Sequence, residues 1–587
     1  MLTLVSFIFF TALVGVLTYL LVRGKESESS DGYFLAGRSL TAGVIAGSLL
    51  LTNLSTEQLV GLNGAAFGDG LAVMAWEVIA GLSLVVMALF FLPRYLARGI
   101  TTIPQFLAGR FNETTESITN AIFILAYAAI LLPIILYTGA RGLSGILDLH
   151  ELTGIQNDQT ILWMVVWMIG IIGSIYAVFG GLRTVAISDT INGFGLLVGG
   201  AMIAYLGLQW VGDGDALNGW TTMRDAEPKR FSSLGDADSS VPWPTLFTGV
   251  LLLNMFYWTT NQQIIQRTFA AKTLAEGQKG VLLAAGLKVF APLILVLPGM
   301  MAYHLDTKGE LFSADRVQVM ASEARAAFDA LADAERSAAL AAEDASIDEE
   351  VAIENWVSAT VQSQKKDQSY GSLVRQVLPK PLTGFFAAVM VGAILSSFNS
   401  ALNATATLFS LGIYRRYIRP TADETAVVRS GRVFGTLIAI VAMCVAPMLA
   451  GQDSIFGYLQ KMNGLYFIPI FAVVLVGMLD RRVPAWIANV ALVAGFAAIA
   501  LGYFAFGDWM KQVELHEFHF LGIVFVSLVI LMEIVAFTSP RVIPEGALPD
   551  NDESLSPIPM TRWPLAGPVG AGLAIAVLLI YGYFAVI

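Results

Sequence analysis

Apolar residues fill this chain in long blocks, with polar residues gathered between them. Spanning a hydrocarbon core takes about 20 apolar residues per helix. Blocks of that size run over 2–22, 40–66, 71–97, 117–147, 160–182, 185–211, 244–263, 279–304, 381–414, 428–450, 460–480, 483–506, 517–538 and 563–586. They predict an all-α integral membrane protein with about 14 transmembrane helices. The least regular block is 460–480, which Gly464 and Pro469 interrupt. The sharpest break in the apolar pattern is Leu51-Thr52-Asn53-Leu54-Ser55-Thr56-Glu57-Gln58, in the middle of a block. Hydrocarbon offers no water to satisfy peptide groups or a carboxylate, so such a run must face protein or a wet cavity. It predicts an interrupted helix whose loose carbonyls and helix ends face the midplane, as in secondary transporters that hold a cation and a substrate.

Composition agrees with the pattern. Of 587 residues, 56% are hydrophobic and 13% charged, against about 25% charged in soluble domains. Mean hydropathy is +0.69. The single cysteine, Cys444, lies in an apolar run and cannot form an internal disulfide. His150, His304, His516 and His519 are scattered and suggest no metal site. The net charge of −11 collects in loops, and no basic stripe suggests nucleic acid. No P-loop is present, which argues against an ATP-driven pump, and nothing points to an enzyme.

Charge sets an expected orientation in a cell inner (plasma) membrane. No basic residue precedes the first block, while Arg23 and Lys25 follow it. A signal peptide has the opposite order, so this block reads as a permanent helix with its N-terminus outside. Alternation then gathers Arg38; Arg98 and Arg110; Arg267, Lys272 and Lys279; Arg415, Arg416 and Arg419; and Arg481 and Arg482 on the cytoplasmic side, as Lys/Arg bias requires. Both ends fall on the extracellular or periplasmic side. The outer loops hold Asp148, Glu151 and Asp158, then a mixed group from Asp213 to Arg230. One outer segment, 306–380, is long and carries fourteen acids against eight bases. Its Ala-rich part, Ser322–Ala345, reads as one or two helices. It could form a lid; a solvated insertion with no part in transport is the preferred expectation.

Three groups of residues carry candidate chemistry. Ser396, Ser400, Asn403 and Thr407 are spaced by 4, 3 and 4, one helical face. Hydroxyl and carbonyl oxygens suit a hard cation of low charge, though Ser and Thr also pack between membrane helices. Glu57, Glu77, Asp189 and Lys288 fall inside predicted spans, where an ionisable group is costly and needs a partner. Glu77 and Lys288 lie at similar depth and are expected to pair; Asp189 could pair with Arg183 or serve ion exit. Glu533, near a span end, reads as interfacial. Asn254, Tyr257, Trp258 and Asn261 share a further face of amides and aromatics. That combination suits a sugar, with amides bonding hydroxyls and rings covering its C–H surface; interfacial anchoring is the alternative. Gln460 adds an amide before Gly464.

Several segments taken in order resemble the sodium/solute symporter family, in its sodium–glucose branch. They are Tyr33-Phe34-Leu35-Ala36-Gly37-Arg38-Ser39-Leu40, Thr102-Ile103-Pro104-Gln105-Phe106, Asn261-Gln262-Gln263-Ile264-Ile265-Gln266-Arg267-Thr268 and Ser396-Ser397. The resemblance implies a LeuT-like fold of two inverted five-helix repeats, over 40–211 and 244–480, the second holding the insertion 306–380. One extra helix lies within 1–30 and three within 483–587. It also implies a sodium site at the carbonyls of Leu51, Leu54 and Ala393 and the hydroxyls of Ser396 and Ser397. A second sodium site or an exit path would use Asp189, Asn399 and Ser400, with Asn399 replacing a serine. The family's sugar site aligns with Gln58, Glu77, Asn254, Lys288 and Gln460, with Tyr257 as inner gate. Ala80 and Leu131 stand where that site has a serine and an asparagine.

The expected function is sodium-coupled uptake of a hexose or cyclitol by alternating access. The runner-up is an acidic sugar such as sialic acid or another organic solute, with Arg141 or Lys288 as anion partner. A channel gives no reason for a substrate-like set beside a sodium site. A receptor on a transporter scaffold would carry a signalling domain. Sodium ion, a small-molecule substrate and membrane lipid are the expected partners, with no obligate protein partner.

Overall fold

The computed structural model describes residues 2–22, 29–147, 149–155, 157–331, 336, 348–449, 455–541 and 556–586. Arg23, Lys25, Asp148 and most of the Ala-rich stretch beyond Leu331 lie outside them. Within the described residues the chain is almost wholly helical, with two isolated β-bridges, Leu40 to Ala271 and Gly235 to Pro242.

Eleven helices are long and apolar enough to cross a membrane, or twelve if the bent pair Leu274–Val289 and Pro292–Thr307 is one span. Interruptions explain the gap from the larger predicted number. Ala42–Asn53 and Thr56–Asp69 form one broken element, and Gly249–Thr259 and Gln262–Phe269 another. Each half is too short to span alone. The apolar stretch Thr56–Ala97 is a hairpin rather than one helix. Leu274–Val289 packs on both Ala42–Asn53 and Ala75–Val86, whereas its continuation Leu297–Thr307 packs on Thr56–Asp69 and the turn Gly70–Met74. The chain therefore reverses at that turn. Gly70 adopts φ +70° there, and a Cβ would meet the Arg230 carbonyl at 2.5 Å, so only glycine fits.

The helix Lys380–Phe409 runs through the centre, packed against Asp158–Val211 and Leu132–Leu147. Two apolar helices stand at the periphery. Leu2–Val22 buries only Thr18 and leans on the central helix, where Ser6 Oγ donates to Pro381 O at 2.6 Å. Ala566–Ala585 lies against Ala75–Val86 and Leu274–Val289. Apolar surface left outside is what a lipid-facing helix presents.

The insertion departs from the expected solvated segment. Its helix Glu349–Val377 buries Ser369, Tyr370, Leu373 and Val374 and packs along Thr56–Asp69, Leu132–Leu147 and Leu297–Thr307. The approach is close: a Cβ on Gly64 would stand 2.9 Å from the Lys366 carbonyl. Lys365 Nζ also pairs with Asp306 at 3.1 Å. The charge pattern hid this, because the apolar positions sit in one half of an otherwise polar helix.

Asp367 on this helix gives a pH prediction. Burial pushes its carboxyl up to about 6, while Arg141 and Lys366 pull it down. A carboxyl held above its ordinary value favours the protonated form in the folded state. Its contribution is complete below about pH 4 and is lost as pH rises through the folded value. Asp367→Asn is expected to stabilise the protein near pH 7 by about 1–2 kcal/mol, less than the full shift because the group keeps some contact with water. It should also flatten the melting-temperature profile between pH values of about 4 and 6. Melts at a series of pH values check this; an unchanged profile would contradict it.

Candidate functional site

The first interruption follows from local chemistry. Asn53, Ser55 and Thr56 offer side-chain bonds that compete with the helix ladder. Ala42–Asn53 ends at Leu54 (φ −73°, ψ 53°), and Ser55 is extended before Thr56–Asp69 begins. The Leu54 N–H bonds Leu50 O at 2.7 Å, and the Gln58 N–H turns to Ser55 O at 3.2 Å, bypassing the Leu54 carbonyl. Carbonyls near a helix end lack intrahelical donors, so the break presents free oxygens inside the bundle.

The central helix meets this break directly. Ser397 Oγ donates to Thr52 O at 3.0 Å across 345 residues of chain. Beside it, the buried Ser396 hydroxyl faces Asp189 without a well-formed hydrogen bond. Ala393 is fully buried one turn before Ser397. The expected cation ligands thus lie on two elements in contact, with an oxygen left over.

Asp189 does not pair with Arg183. It accepts from Ser48 Oγ at 2.7 Å and from Arg267 at 3.4 Å, both charges being buried. Arg267 also donates to Ser48 Oγ at 2.6 Å, to Gln263 O and to Ser400 Oγ. A guanidinium therefore occupies the space between Asp189 and Ser400, two of the three residues expected at a second cation position. The third, Asn399, is buried with its amide oxygen unpartnered among the described residues.

A polar cavity lies on the other side of the break. Gln58, Glu77, Asn254, Tyr257 and Gln460 all line it, as do Ala80 and Leu131. Lys288 stands behind the lining, where it ion-pairs with Glu77 in full burial and lies 5.5 Å from the Trp258 ring centroid. It holds the carboxylate in place and does not itself face the cavity. Asn254 is anchored by Nδ2 to Val250 O at 3.1 Å. Gln460 Oε1 accepts from Asn463 Nδ2 at 3.2 Å, and Tyr466 donates to Asn463 Oδ1 at 3.1 Å. Tyr257 reaches across to Asn53.

Lining residues outside the expected set include Asn53, Glu57, Trp76 and Asn463. Asn463 follows Gln460 by one helical turn, a signal open to sequence reading. Glu57 and Asn53 lie in the polar run of the interrupted helix, which points to a wet cavity without assigning either a role. Nothing in the local sequence marks Trp76. Glu533 lies near Asp480 and Arg482 at a helix end, in keeping with an interfacial role.

The separated sequence segments join around the second interruption. Asn261 caps Gln262–Phe269, accepting from the Gln263 N–H at 3.2 Å, and also pairs with the Tyr127 hydroxyl. Gln263 Nε2 donates to Ser397 O at 3.2 Å. Gln266 Nε2 donates to Phe34 O at 2.8 Å and to Thr407 Oγ1 at 2.9 Å. Gln262 Oε1 accepts from the Ile103 N–H at 3.0 Å, beside a capping box at Thr102 and Gln105. Arg38 donates to Phe269 O at 3.2 Å and Gly99 O at 2.9 Å. These residues connect the broken helices to one end of the central helix.

Comparison with known proteins gives a consistent result. The profile of the Sodium:solute symporter family matches residues 33–332 and 347–495. The chain is 38% identical to the uncharacterized symporter YidK of Escherichia coli (strain K12), over 99% of this chain and 90% of that protein. It is 32% identical to the sodium/glucose cotransporter of Vibrio parahaemolyticus, over 87% and 85% of the two chains. The fold is similar to that of a Na+-coupled sialic acid symporter solved in a substrate-bound, outward-open state. The TM-score is 0.71 at 18% identity, covering 93% of this chain and 99% of the other.

Proposed function

The chain belongs to the sodium:solute symporter family, and from that premise we propose that it couples sodium entry to uptake of a neutral hexose or cyclitol. It is a multi-pass membrane transporter with a LeuT-like fold, not an enzyme. One observation carries the substrate reading. A cavity beside the interrupted helix collects amides and a carboxylate from Gln58, Glu77, Asn254 and Gln460, with Tyr257 and Trp258 as aromatic walls. Amides both donate and accept, which matches a hydroxyl-rich ring.

Sodium would sit between the Leu51 and Leu54 carbonyls and the Ala393, Ser396 and Ser397 oxygens. The helix end at Leu54, whose carbonyl the Gln58 N–H bypasses, and the Ser396 hydroxyl, which lacks a well-formed hydrogen bond, support that position. By bridging the break to the central helix, the ion would fix the half-helix that carries Gln58, and so order the substrate cavity. Substrate and ion would then favour the same arrangement, which is the requirement for coupling. Arg267 already supplies positive charge at Asp189 and Ser400. That supports Asp189, Asn399 and Ser400 as an exit path rather than a second resident site. Tyr257 would close the inner side of the cavity. Lys and Arg bias supports a plasma membrane orientation with both termini outside, which puts the insertion helix at the outer entrance.

An acidic sugar fits the site less well. Lys288 is bound by Glu77, and Arg141 lies near Asp367 on the insertion helix, outside the cavity lining.

The test is uptake into proteoliposomes of D-glucose, D-galactose and myo-inositol, with and without a sodium gradient. Uptake of at least one is expected only with the gradient. Deoxy analogues of the favoured sugar are expected to compete poorly, by a factor approaching 10⁴, roughly, at the position held by the most buried groups. Uptake indifferent to sodium, or equal competition by deoxy analogues, would reject the reading.

A further inference from the structure

Glu57 is the unexplained group of this site. It occupies the first turn of Thr56–Asp69, immediately past the break, and lines the cavity. The residue is 7% exposed, its carboxyl draws on the Ser55 hydroxyl and its own backbone, and its Oε2 has no well-formed hydrogen bond among the described residues. The neighbouring Gln58 Oε1 is buried and unpartnered as well. The other carboxylate of the cavity, Glu77, is bound by Lys288. The lining thus offers two adjacent acceptors, one from a carboxyl with no cation beside it. A buried polar group without a partner is costly, so these atoms are matched to donors that the protein does not supply.

Resting on the sugar reading above, we infer that Glu57 is a specificity-determining residue that contacts the substrate. Together with Gln58 it hydrogen-bonds hydroxyls of a neutral sugar or cyclitol, and it disfavours carboxylated sugars because two carboxyls in one buried site cannot both ionise. A sugar carboxylate in the same place would bring acceptors to acceptors and negative charge to negative charge, with the nearest ammonium held by Glu77. Like-charge juxtaposition in a buried site is a strong device for rejecting the wrong ligand. Glu57 is not one of the sodium ligands proposed here, so sugar selectivity and sodium binding in the absence of sugar should separate on mutation.

The experiment compares the intact protein with Glu57→Gln in proteoliposomes. D-Glucose and D-galactose are competed against D-glucuronate and D-galacturonate at saturating sodium. The unaltered protein should prefer the neutral member of the favoured pair by roughly a hundredfold or more. Glu57→Gln keeps the shape but removes the charge. It should weaken neutral-sugar binding about tenfold, cut the discrimination against the uronate at least tenfold, roughly, and leave the sodium concentration for half-maximal thermal stabilisation, measured without sugar, unchanged. Sodium-dependent thermal stabilisation establishes that the variant is folded. Should it not fold, Glu57→Asp carries the comparison. That change withdraws the carboxylate by one methylene, so neutral-sugar binding should weaken while the uronate stays excluded. Normal neutral-sugar uptake with unaltered affinity and discrimination in the variant would overturn the role of Glu57 and leave the sugar reading intact. Preferential uptake of uronates by the unaltered protein would overturn both.

Discussion

Lys288→Ala is expected to cost the folded protein about 3–5 kcal/mol, because it leaves the buried Glu77 carboxylate without its cation. The pair lies in full burial between Ala75–Val86 and Leu274–Val289. Lys288→Ala combined with Glu77→Gln removes the stranded charge, so it should melt at a higher temperature than Lys288→Ala alone. Uptake should be lost in both, since Glu77 lines the cavity. The two losses of stability should be strongly non-additive, by more than about 1 kcal/mol. Thermal melts of detergent-solubilised protein measure this. Additive losses would mean that the carboxylate finds another partner when Lys288 is gone.

Removing oxygens from the break-facing serines is expected to have the second large effect. Ser397→Ala deletes the bond to Thr52 O together with a proposed sodium ligand. A neutral hydrogen bond contributes about 1 kcal/mol and a ligand oxygen adds to it. The sodium concentration for half-maximal uptake should therefore rise roughly ten- to a hundredfold. Ser396→Ala should act in the same direction with less effect on stability, because that hydroxyl has no well-formed bond to lose. Thr405→Ala is the control: among the described residues its Oγ1 bonds only the Ala401 carbonyl of its own helix. Sodium activation curves for the three variants decide the matter. Equal shifts in Ser397→Ala and Thr405→Ala would place the sodium ligands elsewhere.

These two experiments address residues that differ in how they became legible. Glu77 and Lys288 could be paired from sequence because two charges at one depth in hydrocarbon have few ways to be satisfied. The same logic failed for Asp189. Arg183 is near in sequence, but Arg267 is near in space, and a guanidinium reaches several acceptors at once. Lys288 was expected to face the substrate, yet depth alone does not fix which side of a partner a side chain occupies. The insertion is packed rather than solvated for a reason its composition does not show. Its charge count describes the whole segment, while docking depends on one half of one helix and on glycines elsewhere that let it approach.

The sequence by itself determined the all-α membrane character, the interrupted helix at 51–58 and the family. Block length and an unsatisfiable polar run admit few structures in lipid, and several ordered segments are specific together. It also marked Gln58, Glu77, Asn254, Tyr257 and Gln460 in the cavity lining, because amides and carboxylates are costly in hydrocarbon without a purpose. Only the tertiary structure decided which polar atoms remain unpartnered. Among the described residues, Ser396 Oγ, Glu57 Oε2 and Gln58 Oε1 end without a well-formed hydrogen bond, whereas Asp189 and Glu77 each gain a cation. That distinction depends on contacts across hundreds of residues, such as Ser397 with Thr52 and Lys288 with Glu77. Satisfaction of a hydrogen bond is a property of two groups and the space between them, and a linear order of residues specifies only one of the two.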